Sequence, residues 1–105
     1  MKVYIAGPIS GLDSAKAVEA FHRAEERLLA AGHEPVNPYA VEPLCLTGCL
    51  DGEGAAHRWD CFMRACLPLL AGCHAIFLLP GWRDSRGALL EHHIAEALGM
   101  EVFEL

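Results

Sequence analysis

Between Leu79 and Leu98 the chain reads Leu-Pro-Gly-Trp-Arg-Asp-Ser-Arg-Gly-Ala-Leu-Leu-Glu-His-His-Ile-Ala-Glu-Ala-Leu. An apolar strand runs into a polar loop, and the loop runs directly into a helix. In an open α/β sheet, ligands bind beyond the carboxyl ends of the strands, so a carboxylate about one turn into the following helix can face a small molecule held by the loop. Glu91 holds that place and is the candidate reactive group. An isolated helical Glu is ordinarily solvated, so the spacing alone carries little. Asp84 and Ser85 can each cap the helix, whose first-turn N–H groups make a site for a phosphate or another anion. Gly87, four positions before Glu91, leaves room where a substrate approaches the backbone.

The rest of the chain supplies what such a junction needs. Lys2 to Ala6 is a short apolar run ended by Gly7-Pro8, a buried parallel strand expected at the centre of the sheet. In the loop Gly7-Pro8-Ile9-Ser10-Gly11 the two glycines let a ligand approach the backbone and Ser10 adds a hydroxyl. The dinucleotide fingerprint is absent: there is no third glycine and no acidic residue at the right place after a second strand. From Ser14 to Ala31, Ala17, Ala20, Phe21, Ala24, Leu28 and Ala31 recur at helical spacing, and Gly32 stops the helix. A second strand over Glu34 to Pro38, parallel to the first, completes a βαβ unit. Tyr39 to Ala56 has no sustained period and is longer than an ordinary connection, which makes residues 39–57 a long loop or lid. Helical spacing returns from His57 to Leu70, with Pro68 expected to kink or tighten the last turn. A third strand over His74 to Leu79, a third helix over Arg86 to Leu98 and a terminal strand over Glu101 to Leu105 follow.

With 105 residues, 53% of them hydrophobic, the chain has material for one domain with a real core. The apolar stretches fall short of a membrane span and the N-terminus opens directly into a strand, so a cytoplasmic protein is expected. A formal charge of −6 argues against a coat for nucleic acid polymers, while a small anionic ligand needs only local positive groups such as Arg83 and Arg86. The five cysteines are an odd set without a repeated CxxC and read as reduced thiols. Cys45, Cys49 and His57 match no closed structural zinc site, and no metal or cofactor is expected. Cys61, Cys66 and Cys73 read as small buried hydrophobes.

Tyr4-Ile5-Ala6-Gly7-Pro8-Ile9-Ser10-Gly11, together with Ser85-x-Gly87-x-x-x-Glu91, resembles the nucleoside 2-deoxyribosyltransferase-like superfamily over nearly the whole chain. Trp59 and the run Gly81 to Ala88 resemble a short, phage-associated branch of unknown function, related to the 2′-deoxynucleoside 5′-monophosphate N-glycosidases. The implied fold is α/β, a flavodoxin-like or Rossmann-like three-layer sandwich on a mostly parallel four-stranded sheet in the order 2-1-3-4. The implied chemistry is cleavage or transfer at the N-glycosidic bond of a nucleoside or its 5′-monophosphate. On this resemblance Glu91 is the nucleophilic carboxylate and Tyr4 the tyrosine beside it, a catalytic pair. Gly7, Pro8, Ile9, Ser10 and Gly11 form the loop over sugar and phosphate, Ser85 binds the phosphate, and Gly87 lies near the helix start.

The sequence departs from that pattern in the second helix. Catalytic members of the superfamily carry an Asp there, where this chain reads Arg64-Ala65-Cys66-Leu67; Asp60 lies about one turn too early, and Asp84 is a substitute out of register. His92 and His93 follow Glu91 but point to different faces of the helix, so at most one can share its pocket. A nucleotide-binding module that keeps the anion loops without turnover is the alternative. A homodimer or larger homo-oligomer is expected, because relatives complete their pockets from a neighbouring chain and this one is short and apolar.

Overall fold

The computed structural model describes residues 1–8, 14–38 and 59–104. Four strands, β1 (Lys2–Ala6), β2 (Glu34–Val36), β3 (Ala75–Leu78) and β4 (Glu101–Glu104), alternate with three helices, α1 (Ser14–Ala30), α2 (Trp59–Ala71) and α3 (Arg86–Ala97). All four strands run parallel in the order β2-β1-β3-β4. The sheet carries helices on both sides, as a three-layer sandwich does. The expected lid at 39–57 and the loop residues Ile9, Ser10 and Gly11 lie outside the described residues.

Alternation along the strands builds the layers. Val3 and Ile5 of β1 and Ala75 and Phe77 of β3 pack on Phe21, Ala24 and Leu28 of α1. Tyr4 and Ala6, with Ile76 and Leu78, face the opposite way, against Cys66 and Leu70 of α2 and Ala88 and Ala95 of α3. A side-chain period of two within a strand sends neighbours to opposite faces, so both faces of the inner strands are buried. The outer strands are blunted differently: β2 carries Pro35, which an edge tolerates, and β4 exposes Glu101 and Glu104.

The helix boundaries follow the expected signals to within a residue or two. On α1 the buried stripe is Ala17, Phe21, Ala24 and Leu28; Ala20 and Ala31 are exposed, Ala31 lying past the end of the helix. Pro68 is accommodated inside α2, whose last turn closes as the Gly72 N–H approaches the carbonyls of both Pro68 and Leu69 at 3.2 Å. Among the described residues no helix is long and apolar enough to cross a membrane.

The chain leaves β1 for β2 on one side and reaches β3 on the other, so the order reverses between β1 and β3. In doubly wound sheets this switch point opens a crevice at the carboxyl ends of the two strands. Among the described residues, Tyr4, Gly7 and Pro8 of β1 and its loop and Ser85 to Glu91 of the β3–α3 junction belong to the elements that border it.

Candidate active site

The site begins with a rule broken on α3. Its buried residues are Ala88, Glu91 and Ala95, a helical stripe in which small side chains let the helix approach the sheet and a carboxylate takes the middle position. Glu91 is 5% exposed, and among the described residues it is the one buried charged side chain. A charge in such a place needs a partner. Tyr4, fully buried on the same side of β1, donates its hydroxyl proton to Glu91 Oε2. The two residues, 87 positions apart in sequence, are thus brought together between β1 and α3.

Burial pushes the Glu91 carboxyl up to about 7, and the Tyr4 hydrogen bond draws it partly back. Tyr4 stays protonated, its phenol driven far above the ordinary value by burial and then by the Glu91 charge. A third group completes the cluster. Cys66 of α2 is 2% exposed and lies in the same buried cluster as Tyr4. Burial pushes its thiol up to about 11, so near neutral pH it is an uncharged S–H. The structure bears out the sequence reading of Cys66 as a small buried hydrophobe. Its place in the buried stripe Met63, Cys66, Leu70 is what made that legible. Cys73 fits that reading too, buried at 8% exposure with its thiol donating to the Leu69 carbonyl at 3.3 Å.

Above this cluster the two loops meet. The Leu79 N–H donates to the Ala6 carbonyl at 2.9 Å, extending the β1–β3 ladder past its last paired residues. A Cβ on Gly7 would lie 2.9 Å from Leu79 Cβ, so the missing side chain makes room for Leu79. Gly81 has a φ of +86°, a conformation that suits glycine, and a Cβ there would come within 3.4 Å of Pro8 Cγ. Pro8 and Gly81 therefore hold the β1 and β3 loops against each other.

The second loop is anchored from below. Trp82, Arg83 and Asp84 form a single 3-10 turn in which Trp82 is buried. Its Nε1 donates to Glu104 Oε1 at 3.0 Å, and its ring lies 4.5 Å from the imidazole of His92, centre to centre. Arg83 stacks on the Trp82 ring at 4.6 Å and pairs with Glu104 at 3.2 Å, so its guanidinium is turned to β4 and not to an incoming anion. Those contacts hold the Glu104 carboxyl below its ordinary value, the Trp82 hydrogen bond first. His92 faces Trp82 and pairs with Glu96 at 2.7 Å, and His93 is exposed.

Of the two capping candidates, Ser85 takes the role. Its hydroxyl accepts the Ala88 N–H at 3.3 Å while its backbone, at φ −104° and ψ 119°, turns the chain into α3. Asp84 is exposed at the end of the 3-10 turn, Arg86 is the exposed first residue of α3, and Gly87 is half-buried one position on. The candidate residues therefore fall in two tiers: Tyr4 and Glu91 in contact below, Gly7, Pro8 and Ser85 on the loops and helix start above. Among the described residues no three His, Cys, Asp or Glu side chains gather to hold a metal, and Cys45, Cys49 and His57 lie outside them.

No curated protein matches the chain. A family model does, along nearly its full length: residues 1–104 match DUF4406, described as a domain of unknown function. The match spans both loop-to-helix junctions and all four strands, and the chain belongs to the DUF4406 family.

Proposed function

We propose that this protein cleaves or transfers the N-glycosidic bond of a nucleoside, or of its 5′-monophosphate, with Glu91 as nucleophile. The observation that carries the proposal is the buried Tyr4–Glu91 pair beside the switch point of the sheet. A carboxyl with a midpoint near 7 is available in both protonation states near neutral pH, which is what acid, base or nucleophilic work requires. The sequence resemblance supplies the substrate class.

In the proposed reaction the ionised Glu91 attacks C1′. The C1′–N bond breaks with its electron pair passing to the base, which takes up a proton, and a glycosyl ester forms on Glu91. Water then attacks C1′, giving up one proton that balances the one taken by the base, and releases the sugar and restores the carboxylate; a second base in place of water gives transfer. Tyr4 holds Oε2, leaving Oε1 to bond with carbon. Ser85 and the first turn of α3, with Gly7 and Pro8 opposite and Ile9, Ser10 and Gly11 continuing that loop, form the phosphate and sugar side of the site. Gly87 and Asp84 border it.

Incubation with a panel of deoxy- and ribonucleoside 5′-monophosphates, followed by chromatography for free base, tests the reading. Base release is expected from at least one of them, and Glu91→Gln should lower it by at least about 10³-fold. Nucleotide binding without base release would instead identify a binding module, and release undiminished in Glu91→Gln would remove the carboxylate from the mechanism.

A further inference from the structure

Glu104 closes the last strand, and the strand register sets its position. It lies opposite Leu78, the final residue of β3, from which the chain continues through Leu79, Pro80 and Gly81 into the 3-10 turn. Phe103, its neighbour on β4, packs on the α1 layer, so the period of two within a strand turns Glu104 to the other side, where Trp82 shares a core with Ala88. There one carboxylate oxygen, Oε1, accepts both the Trp82 indole N–H at 3.0 Å and the Arg83 guanidinium at 3.2 Å. An exposed ion pair by itself contributes little. Two charge-assisted bonds to adjacent residues of one short turn, one of them from a buried indole, fix where that turn sits.

The turn hands its position on. The Trp82 carbonyl accepts the Ser85 N–H at 3.1 Å, and Ser85 caps α3 by taking the Ala88 N–H on its hydroxyl. The indole ring also rests against His92, so Trp82 spaces the turn from the middle of α3. We infer that Glu104 is a positioning residue for the phosphate end of the site: through Trp82 it holds Ser85 and the first turn of α3 where a 5′-phosphate is received. The inference rests on the reading of that junction as the phosphate side. It gives β4, which supplies neither Tyr4 nor Glu91, a part in binding and none in the chemistry.

Inorganic phosphate is the probe, titrated into the full chain and followed by NMR at the amides of Ser85 to Ala88 and at the Trp82 indole N–H, the latter assigned through Trp82→Phe. Phosphate should shift these resonances in the wild type, and Glu104→Ala should weaken its binding by about tenfold or more, the equivalent of losing one hydrogen bond to a charged group. Removal of a negative charge would on electrostatic grounds alone favour an anion, so the sign of the effect separates positioning from charge. Glu104→Gln keeps an acceptor oxygen in the same place and should bind phosphate within about threefold of the wild type. Trp82→Phe keeps a ring against His92 and loses the donor; it should match Glu104→Ala, and the double variant should be no weaker than either. The Glu91 midpoint, read at its carboxyl carbon, should stay near 7 throughout. Absence of phosphate-induced shifts in the wild type, binding unchanged or tighter in Glu104→Ala, a glutamine variant that tracks alanine, or a moving Glu91 midpoint would each overturn the inference.

Where base release is found, Glu104→Ala should raise KM for the 5′-monophosphate and leave kcat within about threefold, a split that a general loss of fold would not produce. Base release that depends on Glu91 while phosphate binding ignores Glu104 would overturn the inference and leave the glycosidase reading standing. Phosphate binding that depends on Glu104 in a protein releasing no base would do the reverse.

Discussion

Glu91 takes up a proton when the chain folds. Its ordinary value is 4.5, and burial pushes it up to about 7. A carboxyl raised in this way contributes stability that is fully present below pH 4.5 and is lost as the pH climbs through 7. Glutamine in its place is neutral throughout and can still accept the Tyr4 proton through its carbonyl oxygen. Glu91→Gln should therefore match the wild type in stability near pH 4 and exceed it by about 2–3 kcal/mol near pH 8. Urea denaturation at the two pH values checks this, and an equal difference at both would place the carboxyl at its ordinary value. A site that gains stability when its acid is removed is one in which fold stability has been traded for function.

The elements hold the candidate site through their ends. Helix α3 starts at Ser85, whose hydroxyl takes an N–H that the helix cannot satisfy itself, and the 3-10 turn before it is tied to β4 through Trp82 and Arg83. Ser85→Ala removes the cap and should cost about 1 kcal/mol in stability, read by thermal or urea unfolding. If the first turn of α3 receives the phosphate, the same variant should weaken nucleoside monophosphate binding more than nucleoside binding, read by calorimetry. Much of this arrangement was legible in order along the chain: the Gly-Pro break after the first strand, Ser85 at the helix start, and Glu91 one turn further on. The commitment of Arg83 to Glu104 was not, because 21 residues separate them and only the parallel pairing of β3 with β4 makes them neighbours.

At the scale of the whole molecule, one sheet serves two cores. Phe21 anchors the α1 side, and the Tyr4–Glu91–Cys66 cluster occupies the other, with β1 and β3 shared between them. Phe21→Ala should destabilise the entire domain by about 3–5 kcal/mol, because the cavity forms in a core that the sheet cannot leave. Unfolding of the variant should remain a single transition by circular dichroism and tryptophan fluorescence. The Glu91 midpoint in its folded state should stay at the wild-type value, since the sheet separates the two faces. A shifted midpoint would show that the α1 layer reaches through the sheet to the carboxylate.

The sequence alone determined the layered α/β plan, because hydrophobic period and turn residues are local properties written every two or four positions. It also singled out Glu91 and, through a resemblance, Tyr4. Contacts between distant segments were decided only in three dimensions: Leu79 filling the space beside Gly7, the Tyr4 hydroxyl meeting the Glu91 carboxylate, and the burial that moves Glu91 from an ordinary helical acid to one with a midpoint near 7. Desolvation depends on everything that surrounds a group, and no spacing along a chain states what the other strands and helices will place there.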